Sequence, residues 1–565
     1  VRVFATRAII IAALGSVLLA AGWVMVVRDP MTLGPMAAPM QAVAQAPVEA
    51  GTSNHAVSRE PELPRIFMNT SYVAAGGRTI LVAAGDNLQN AIDDARPRDT
   101  IRLQAGATFT GNFRLPDKGN EPGWIVIRTE TPDDRFVPRG TRVTPADAPK
   151  LARILSDNSA PAISADDGAH HYQLLGLEIG VTDEVQANAN VVRLGDGRQN
   201  SPDRLPNQII IDRCYIHGNS RGNIRRGVTL NGASLALIDS YVENIHEAQA
   251  DSQAVGGWNG PGPFKIVNNF LEGAGENLMF GGARPAVHGL IPSDIEIRRN
   301  HFFKRLSWWP RDPSFAGIRW QVKNLLELKN GRRLLIEGNV FENVWTDAQA
   351  GFAILLKTST EAGWAPWAAT TDITFRYNII RHASNGINIS GRFGADPQVR
   401  LERLKIHDNL LLDIDGPKWG NPSQGRLFQI LQGPANVTIE RNLGLQTSMF
   451  LVLDGRPKAT GFIFRNNIVP HNDQGAKGSG ARTGTPSLEK FLEGYTFSGN
   501  VIVGGVCSLY PGGNSCPRDW NKVGFARFNR GDFRLTPQSP YKGRGPDLSA
   551  IEKETAGVVV RPPTR

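Results

Sequence analysis

Cysteine is scarce, with three in 565 residues, which excludes a disulfide-dense scaffold. Cys507 and Cys516 bracket a Gly-rich segment and are placed to form a local staple in an oxidising compartment. Cys214 has no near partner and reads as a buried, apolar-like residue. Lysine is scarce too, at 15 of the 62 basic residues. The net charge of +9 is gathered into no Lys/Arg run, so nothing resembles a nucleic-acid arm and no nucleic-acid partner is expected. No Gly-rich loop between strand and helix offers a nucleotide site. GVTLNGASL (227–235) lacks the spacing of a nucleophile elbow. Charged and apolar fractions of 20% and 41% exclude wholesale disorder. Gly and Pro, 60 and 37 residues, exceed their usual share only modestly. That excludes a collagen-like or low-complexity chain and indicates many tight turns.

Long apolar runs are missing but for one. Arg2 and Arg7 precede a run from Ala8 to Val27, which Arg28 and Asp29 close. At about 1.5 Å per residue such a run spans about 30 Å, a bilayer core. Residues 1–29 are therefore expected to be a signal peptide or membrane anchor, with a cytoplasmic N-terminus and the rest exported, periplasmic or extracellular. The nearest small-x-small site, Ala44-Gln45-Ala46, lies far downstream, which favours an uncleaved segment. Residues 30–64 are rich in Ala, Pro and Met without a period and read as a disordered linker. The folded domain is expected over 65–565.

One short pattern recurs from Leu174 onward: alternating apolar residues, a polar or small residue, then an apolar pair. The clearest copies are IVNNFL (266–271), IRRNHFF (297–303), IEGNVF (336–341), FRYNII (375–380), IHDNLLL (406–412), IERNLGL (439–445), FRNNIV (464–469) and FSGNVIV (497–503). They place Asn269, Asn300, Asn339, Asn378, Asn409, Asn442, Asn467 and Asn500 in one slot, with Ser240, Cys214 and Leu177 in weaker copies. Each copy is strand-like by its period of two. An Asn between two short strands tolerates unusual backbone angles and hydrogen-bonds the main chain or the next Asn. Stacked strands repeat every ~4.8 Å, so these side chains form a ladder.

These copies resemble the coils of a right-handed parallel β-helix, the pectate-lyase-like superfamily, over about residues 78 to 545. LQNAIDDARPRDTIRLQAGATFTG (88–111) is similar to the usual start, a short amphipathic helix capping the open end, and FRLTPQSPYKGRG (533–545) to the usual close. The resemblance implies an all-β, single-solenoid fold with an Asn ladder and an N-terminal capping helix. It also implies a carbohydrate-active protein with a polysaccharide partner. It carries no catalytic residues across. The Asn-Thr-Asp, Asp-Asp, Gly-His-Gly and Arg-Ile-Lys set of polygalacturonases, the Asp-Pro-His-Asp signature of alginate epimerases and the Trp-Ile-Asp-His signature of pectate lyases are all missing.

A strand precedes each Asn copy: PAISADD (161–167), NVVRLGD (190–196), GVTLNGA (227–233), NLMFGGA (277–283), LLELKNG (325–331), AILLKTS (353–359), GINISGR (386–392), LFQILQG (427–433) and FLVLDGR (450–456). In the family this sheet and its loops line the substrate groove. The outward pairs are Thr229/Asn231, Met279/Gly281, Glu327/Lys329, Leu355/Lys357, Asn388/Ser390 and Gln429/Leu431. Lys329 and Lys357 thus stack on consecutive coils, with Glu327 on the same face. A neighbouring ammonium lowers a Lys pKa and a carboxylate raises it. Such a cluster binds a uronate carboxylate and, with one Lys neutral, abstracts the proton α to it. The structural alternative is a surface Glu–Lys–Lys cluster that blocks lateral aggregation.

The two longest ladder spacings, 39 residues each, flank this pair. The excursions 304–324 and 358–372 are expected on opposite walls of one groove. They carry Trp308, Trp309, Trp320, Trp364 and Trp367, and Arg311, Arg319 and Lys323. Exposed Trp offers flat faces for sugar rings, and Arg319 or Lys323 would clamp a carboxylate; the alternative is Trp that packs the loops onto the coil. A second candidate, the loop 241–264 with 273–282, gathers Glu243, His246, Glu247, Asp251 and Glu276. Paired carboxylates serve a glycosidase, and converging oxygens hold Ca²⁺. Three readings stay open: a polysaccharide lyase acting by β-elimination on an acidic polysaccharide, a non-catalytic glycan- or envelope-binding β-helix, and a glycoside hydrolase. No cofactor is required, and Ca²⁺ is the one metal considered.

Overall fold

The computed structural model describes residues 59–71, 76–393 and 400–560. The apolar run Ala8–Val27 and most of the 30–64 stretch lie outside them. Among the described residues no helix is long and apolar enough to cross a membrane.

The period-two segments form three long parallel sheets of 12, 16 and 13 strands among the described residues, called C, A and B. Each coil adds one strand to each in that order. One coil, for instance, runs through Phe352–Ser359 in C, Thr370–Arg376 in A and Ile379–Ala383 in B. This is the expected all-β parallel β-helix. All nine aligned segments lie in sheet C, in the predicted register: Met279 pairs with Glu327, Glu327 with Leu355, Leu355 with Asn388 and Asn388 with Gln429. Three sheet C strands lie outside the aligned segments: Phe113–Leu115, Gln253–Gly257 and Ala476–Gly478. The presumed loop 241–264 contains strands Tyr241–Ile245 of sheet B and Gln253–Gly257 of sheet C.

Inward side chains fill one continuous core from Val82 to Tyr510. Phe302, Phe341 and Phe375 stack through it, with ring centroids 4.4 and 5.8 Å apart. Each such aliphatic or aromatic side chain stabilises the fold by about 1.5–3 kcal/mol. The expected helix, Leu88–Asp94, buries Leu88 and Ile92 against the first coils, and Asn87 caps it by accepting from Asn90 N.

The Asn ladder runs along the A-to-B turn. Ser240 N donates to Asn269 Oδ1, and each Asn passes its backbone and side-chain N–H to the next Oδ1, through Asn300, Asn339, Asn378, Asn409, Asn442, Asn467 and Asn500 to a final rung, Asn514. The left-handed backbone sits not on the ladder Asn but one residue earlier, at Asn268, Arg299, Gly338, Tyr377, Asp408, Arg441 and Asn466. Gly338 and Gly499, the latter before Asn500, carry a second demand, because a Cβ would meet Glu554 O at 2.8 Å at the first and Asn466 Oδ1 at the second. Cys507 and Cys516 form the expected disulfide, around the loop that carries Asn514. Cys214 is buried.

Two terminal segments run along the solenoid, the second carrying the helix Leu548–Thr555. Glu60 pairs with Lys405, Glu62 N donates to Asp372, Arg65 N donates to Asp294, and Met68 is buried against Ile210, Ala236 and Ile238. Residues 59–64, the end of the stretch read as a linker, are thus bonded to sheet A. At the other end Asp547 N donates to Asp408, Arg299 holds the carbonyls of Glu554 and Ala556, and Arg142 holds that of Val558.

Candidate functional site

Outward positions of sheet C bring together side chains from four consecutive coils. Lys329 Nζ and Lys357 Nζ each lie 3.4 Å from Glu327 Oε1. Glu327 is sealed beneath them, and neither of its oxygens makes a geometrically good hydrogen bond. One coil earlier Glu276, also fully buried, accepts from Gln253 Nε2 at 2.8 Å and lies 3.8 Å from Lys323 Nζ. Lys323 in turn pairs with Asp251.

These neighbours separate the two lysines electrostatically. Burial pulls Lys329 down, but Glu327, Glu276 and Glu361 outweigh it and hold its ammonium above the ordinary range. Burial pushes Lys357 below the ordinary range, Lys329 adds to the push, and Glu327 only partly opposes it. Burial, with Glu327 and Asp251 as like charges, pushes Glu276 up to about 7 against the pull of Lys323.

The walls differ from expectation. Excursion 304–324 enters sheet C ahead of Leu326 and excursion 358–372 follows Ser359, so they stand at opposite edges of the sheet. Only Trp364 of the five expected Trp is exposed, at 64%, with Arg284 5.6 Å from its ring. Trp308 and Trp320 are buried around His246, whose ring stacks on Trp320 at 3.8 Å. Trp309 stacks between Trp345 and Trp419. Trp367 donates Nε1 to Leu290 O and packs on His288. These four anchor the loops, because a large ring laid on the coil buries more area than one left in water. Arg319 is not brought to the lysines; it pairs with Asp347. Arg311 donates to the carbonyls of Pro417, Lys418 and Gly420. Asn388 lies in the row beside Leu355 with its Oδ1 unpartnered.

The second candidate set is split. Asp251 and Glu276 belong to the sheet C cluster. Glu243 lies on sheet B, held by Tyr215 OH at 2.6 Å and Arg305 at 2.8 Å, and Arg305 also pairs with Glu272. His246 is buried under aromatic rings. Glu247 accepts from Gln321 N through its main chain. Glu243 lies on a strand of sheet B and Glu276 on one of sheet C, so the five residues are spread over the coil and the candidate metal set does not form. Among the described residues no group of three or more His, Cys, Asp or Glu converges as metal ligands.

Three further residues border the cluster. Phe393 has its ring 4.3 Å from Lys357 Nζ. A register shift between Lys357 and Ser359 brings it there, which simple alternation does not reveal. Gln253 lies on one of the unaligned sheet C strands, and Arg284, over Trp364, lies in a turn without a period.

No family model matches the chain. Among curated proteins it is similar to a tetraacyldisaccharide 4'-kinase from Shewanella frigidimarina, 24% identical over 228 residues that cover 37% of this chain and 63% of that protein. The chain thus spans less than two thirds of that relative's length. Among solved structures it is similar to the catalytic unit of a GH87 α-1,3-glucanase from Streptomyces thermodiastaticus (TM-score 0.47, 15% identity, 78% of this chain and 70% of that one). It is also similar to a PL6 family alginate lyase (0.44, 15%, 86% and 59%). A mannuronic acid specific family 6 lyase from human gut microbiota gives 0.43 and 14%, over 85% and 94%. The fold assignment rests on the strand topology, and the site on its own geometry.

Proposed function

We propose that this chain is a carbohydrate-active β-helix protein that cleaves an acidic polysaccharide by β-elimination in the groove over sheet C. The observation that carries the reading is the pair Lys329 and Lys357 over one buried carboxylate, with opposite proton affinities. Lys329 stays charged and pairs with the uronate carboxylate. That withdraws electron density and acidifies the carbon-bound proton next to it. Lys357, the lysine of lower proton affinity, takes that proton as general base. The C–H electron pair becomes the ring double bond, the bond from C4 to the glycosidic oxygen breaks, and the departing oxygen takes a proton from water. Glu327 holds the Lys329 ammonium and the neutral Lys357 amine in place. Trp364 and Phe393 offer apolar faces for neighbouring sugars, and Asn388 Oδ1 accepts from a sugar hydroxyl. An oxidising compartment outside the cytoplasm fits both such a substrate and the Cys507–Cys516 bond.

One observation favours glycoside hydrolysis as a second reading. Glu276, pushed up to about 7 by burial and Glu327, is a carboxyl that still holds its proton in a large share of molecules at neutral pH. One experiment separates the two. The full chain is incubated with a panel of uronic-acid polysaccharides, with and without added Ca²⁺. The ultraviolet absorbance of unsaturated uronate and the product masses are followed. Unsaturated products with no added water are expected. Saturated products, each cleavage adding one water, would overturn elimination in favour of the acid pair. No cleavage across the panel would contradict both.

A further inference from the structure

Lys304 follows strand His301–Phe303 and is the first residue of excursion 304–324. Its side chain is fully buried. Nζ donates to the carbonyls of Gly273, Ala274 and Gly275, each at 2.8 Å, and to Asn277 Oδ1 at 3.0 Å. These carbonyls form the tight turn between Phe270–Gly273 in sheet B and Glu276–Phe280 in sheet C. In an uninterrupted solenoid the next coil would repeat that turn and stack its N–H groups against it. Here the next coil leaves as the excursion and returns at Lys323, whose backbone N–H reaches Ala274 O and Gly275 O at 3.3 Å. Both feet of the excursion therefore stand on one set of carbonyls, and the residue after them is Glu276.

We propose that Lys304 is a positioning residue, a built-in cation seated in a carbonyl cage that locks the foot of the excursion and so fixes Glu276 and Lys323. The cage stands on its own geometry; its link to turnover rests on the lyase reading above. Four acceptors and no donor surround Nζ, an environment for an ammonium. Burial, only partly opposed by Glu276 and Glu272, pulls its pKa down to about 7. A Met in its place keeps the length but takes the Lys304 donor from Gly273 O and Asn277 Oδ1 and leaves Ala274 O and Gly275 O only the long bond from Lys323 N. An Ala leaves a cage that a small monovalent cation, ammonium or potassium, can fill.

The test uses the full chain as Lys304→Ala. Its thermal midpoint and its near-ultraviolet circular dichroism, which reports Trp308 and Trp320 on the excursion, are measured in ammonium, potassium or tetramethylammonium chloride at equal concentration. The expected result is a lowered midpoint and a weakened aromatic signal in tetramethylammonium. Both should recover partly in ammonium, while the unsubstituted protein is indifferent to the cation. Equal behaviour in all three salts overturns the cage. Polyuronate turnover, where the unsubstituted protein shows it, adds the functional readout: the pH–rate profile of Lys304→Ala should shift and move back with ammonium, and an unmoved profile overturns the positioning role. Lack of turnover by the unsubstituted protein would sink the lyase reading, and the cage would still be decided by the cation-specific recovery. If Lys304→Ala does not fold, Lys304→Met decides the matter. It should lose the aromatic signal while far-ultraviolet dichroism keeps its sheet signature, and an unchanged aromatic signal overturns the proposal.

Discussion

Burial separates side chains that the sequence lists side by side. Glu327, Lys329 and Lys357 were legible because alternation has period two, and a strand with inward Leu326 and Leu328 must turn Glu327 and Lys329 outward. The Trp residues were not legible in the same way, because composition tells nothing of the surface against which a loop lies. His246 shows the consequence. It was read as an acid–base or metal residue, yet both its ring nitrogens lack a hydrogen-bond partner and the ring is stacked on Trp320. Burial pushes its pKa down to about 3. Its unfolded imidazole takes a proton as pH falls through 6.5, and the folded one resists until about 3. The stability that neutral His246 contributes is therefore complete above about 6.5 and is lost as pH falls toward 3. His246→Phe, which fills a similar volume, is expected to flatten that part of the curve of thermal midpoint against pH. Parallel curves for the two proteins would rule the assignment out.

At the scale of elements, the ladder was the most legible feature, since eight Asn recur in one slot between apolar pairs. Its geometry still corrected one point: the residue before each Asn takes the left-handed turn, leaving the Asn free to hydrogen-bond. The sheet C strand Gln253–Gly257 escaped notice because Ala254, Gly256 and Gly257 lack the β-branched and aromatic side chains that mark a strand. Asn378 shows what a rung contributes. It accepts from the N–H and Nδ2 of Asn339, and its own Nδ2 donates to Ile336 O and Asn409 Oδ1, all in the interior. Asn378→Ala leaves several of these groups unpaired and should cost about 3 kcal/mol. Asn514→Ala, at the half-buried last rung, should cost less. Thermal unfolding of the two variants tests this, and an equal or smaller loss at Asn378 would contradict the ladder account.

Over the whole molecule, the solenoid was foreseen and its two straps were not. Residues 59–71 lack a period because they bind mainly through backbone groups, and in 545–560 the helix Leu548–Thr555 is too short for its one buried residue, Ile551, to mark a pattern. Arg142 is one clasp of the second strap, beside Arg299. It is buried, and it donates to Asn268 O, Arg299 O and Val558 O at 3.0, 3.1 and 3.0 Å. Burial lowers its pKa to about 10, which leaves it charged at neutral pH. Arg142→Met should release the tail, seen as faster hydrogen–deuterium exchange over 547–560 while the ladder strands keep their protection. Unchanged exchange there would show that the tail is held by other means. The central claim concerns the face opposite neither strap but over sheet C, where the lysines lie. Its most direct measurement is the rate of unsaturated product formation from a polyuronate by the full chain and by Lys357→Met, matched for fold by circular dichroism. The account predicts that the unsubstituted rate rises with pH through an apparent pKa below the ordinary 10.5 of lysine. It predicts that Lys357→Met loses about 10²-fold or more at every pH. A Lys357→Met protein that keeps the full rate would contradict it.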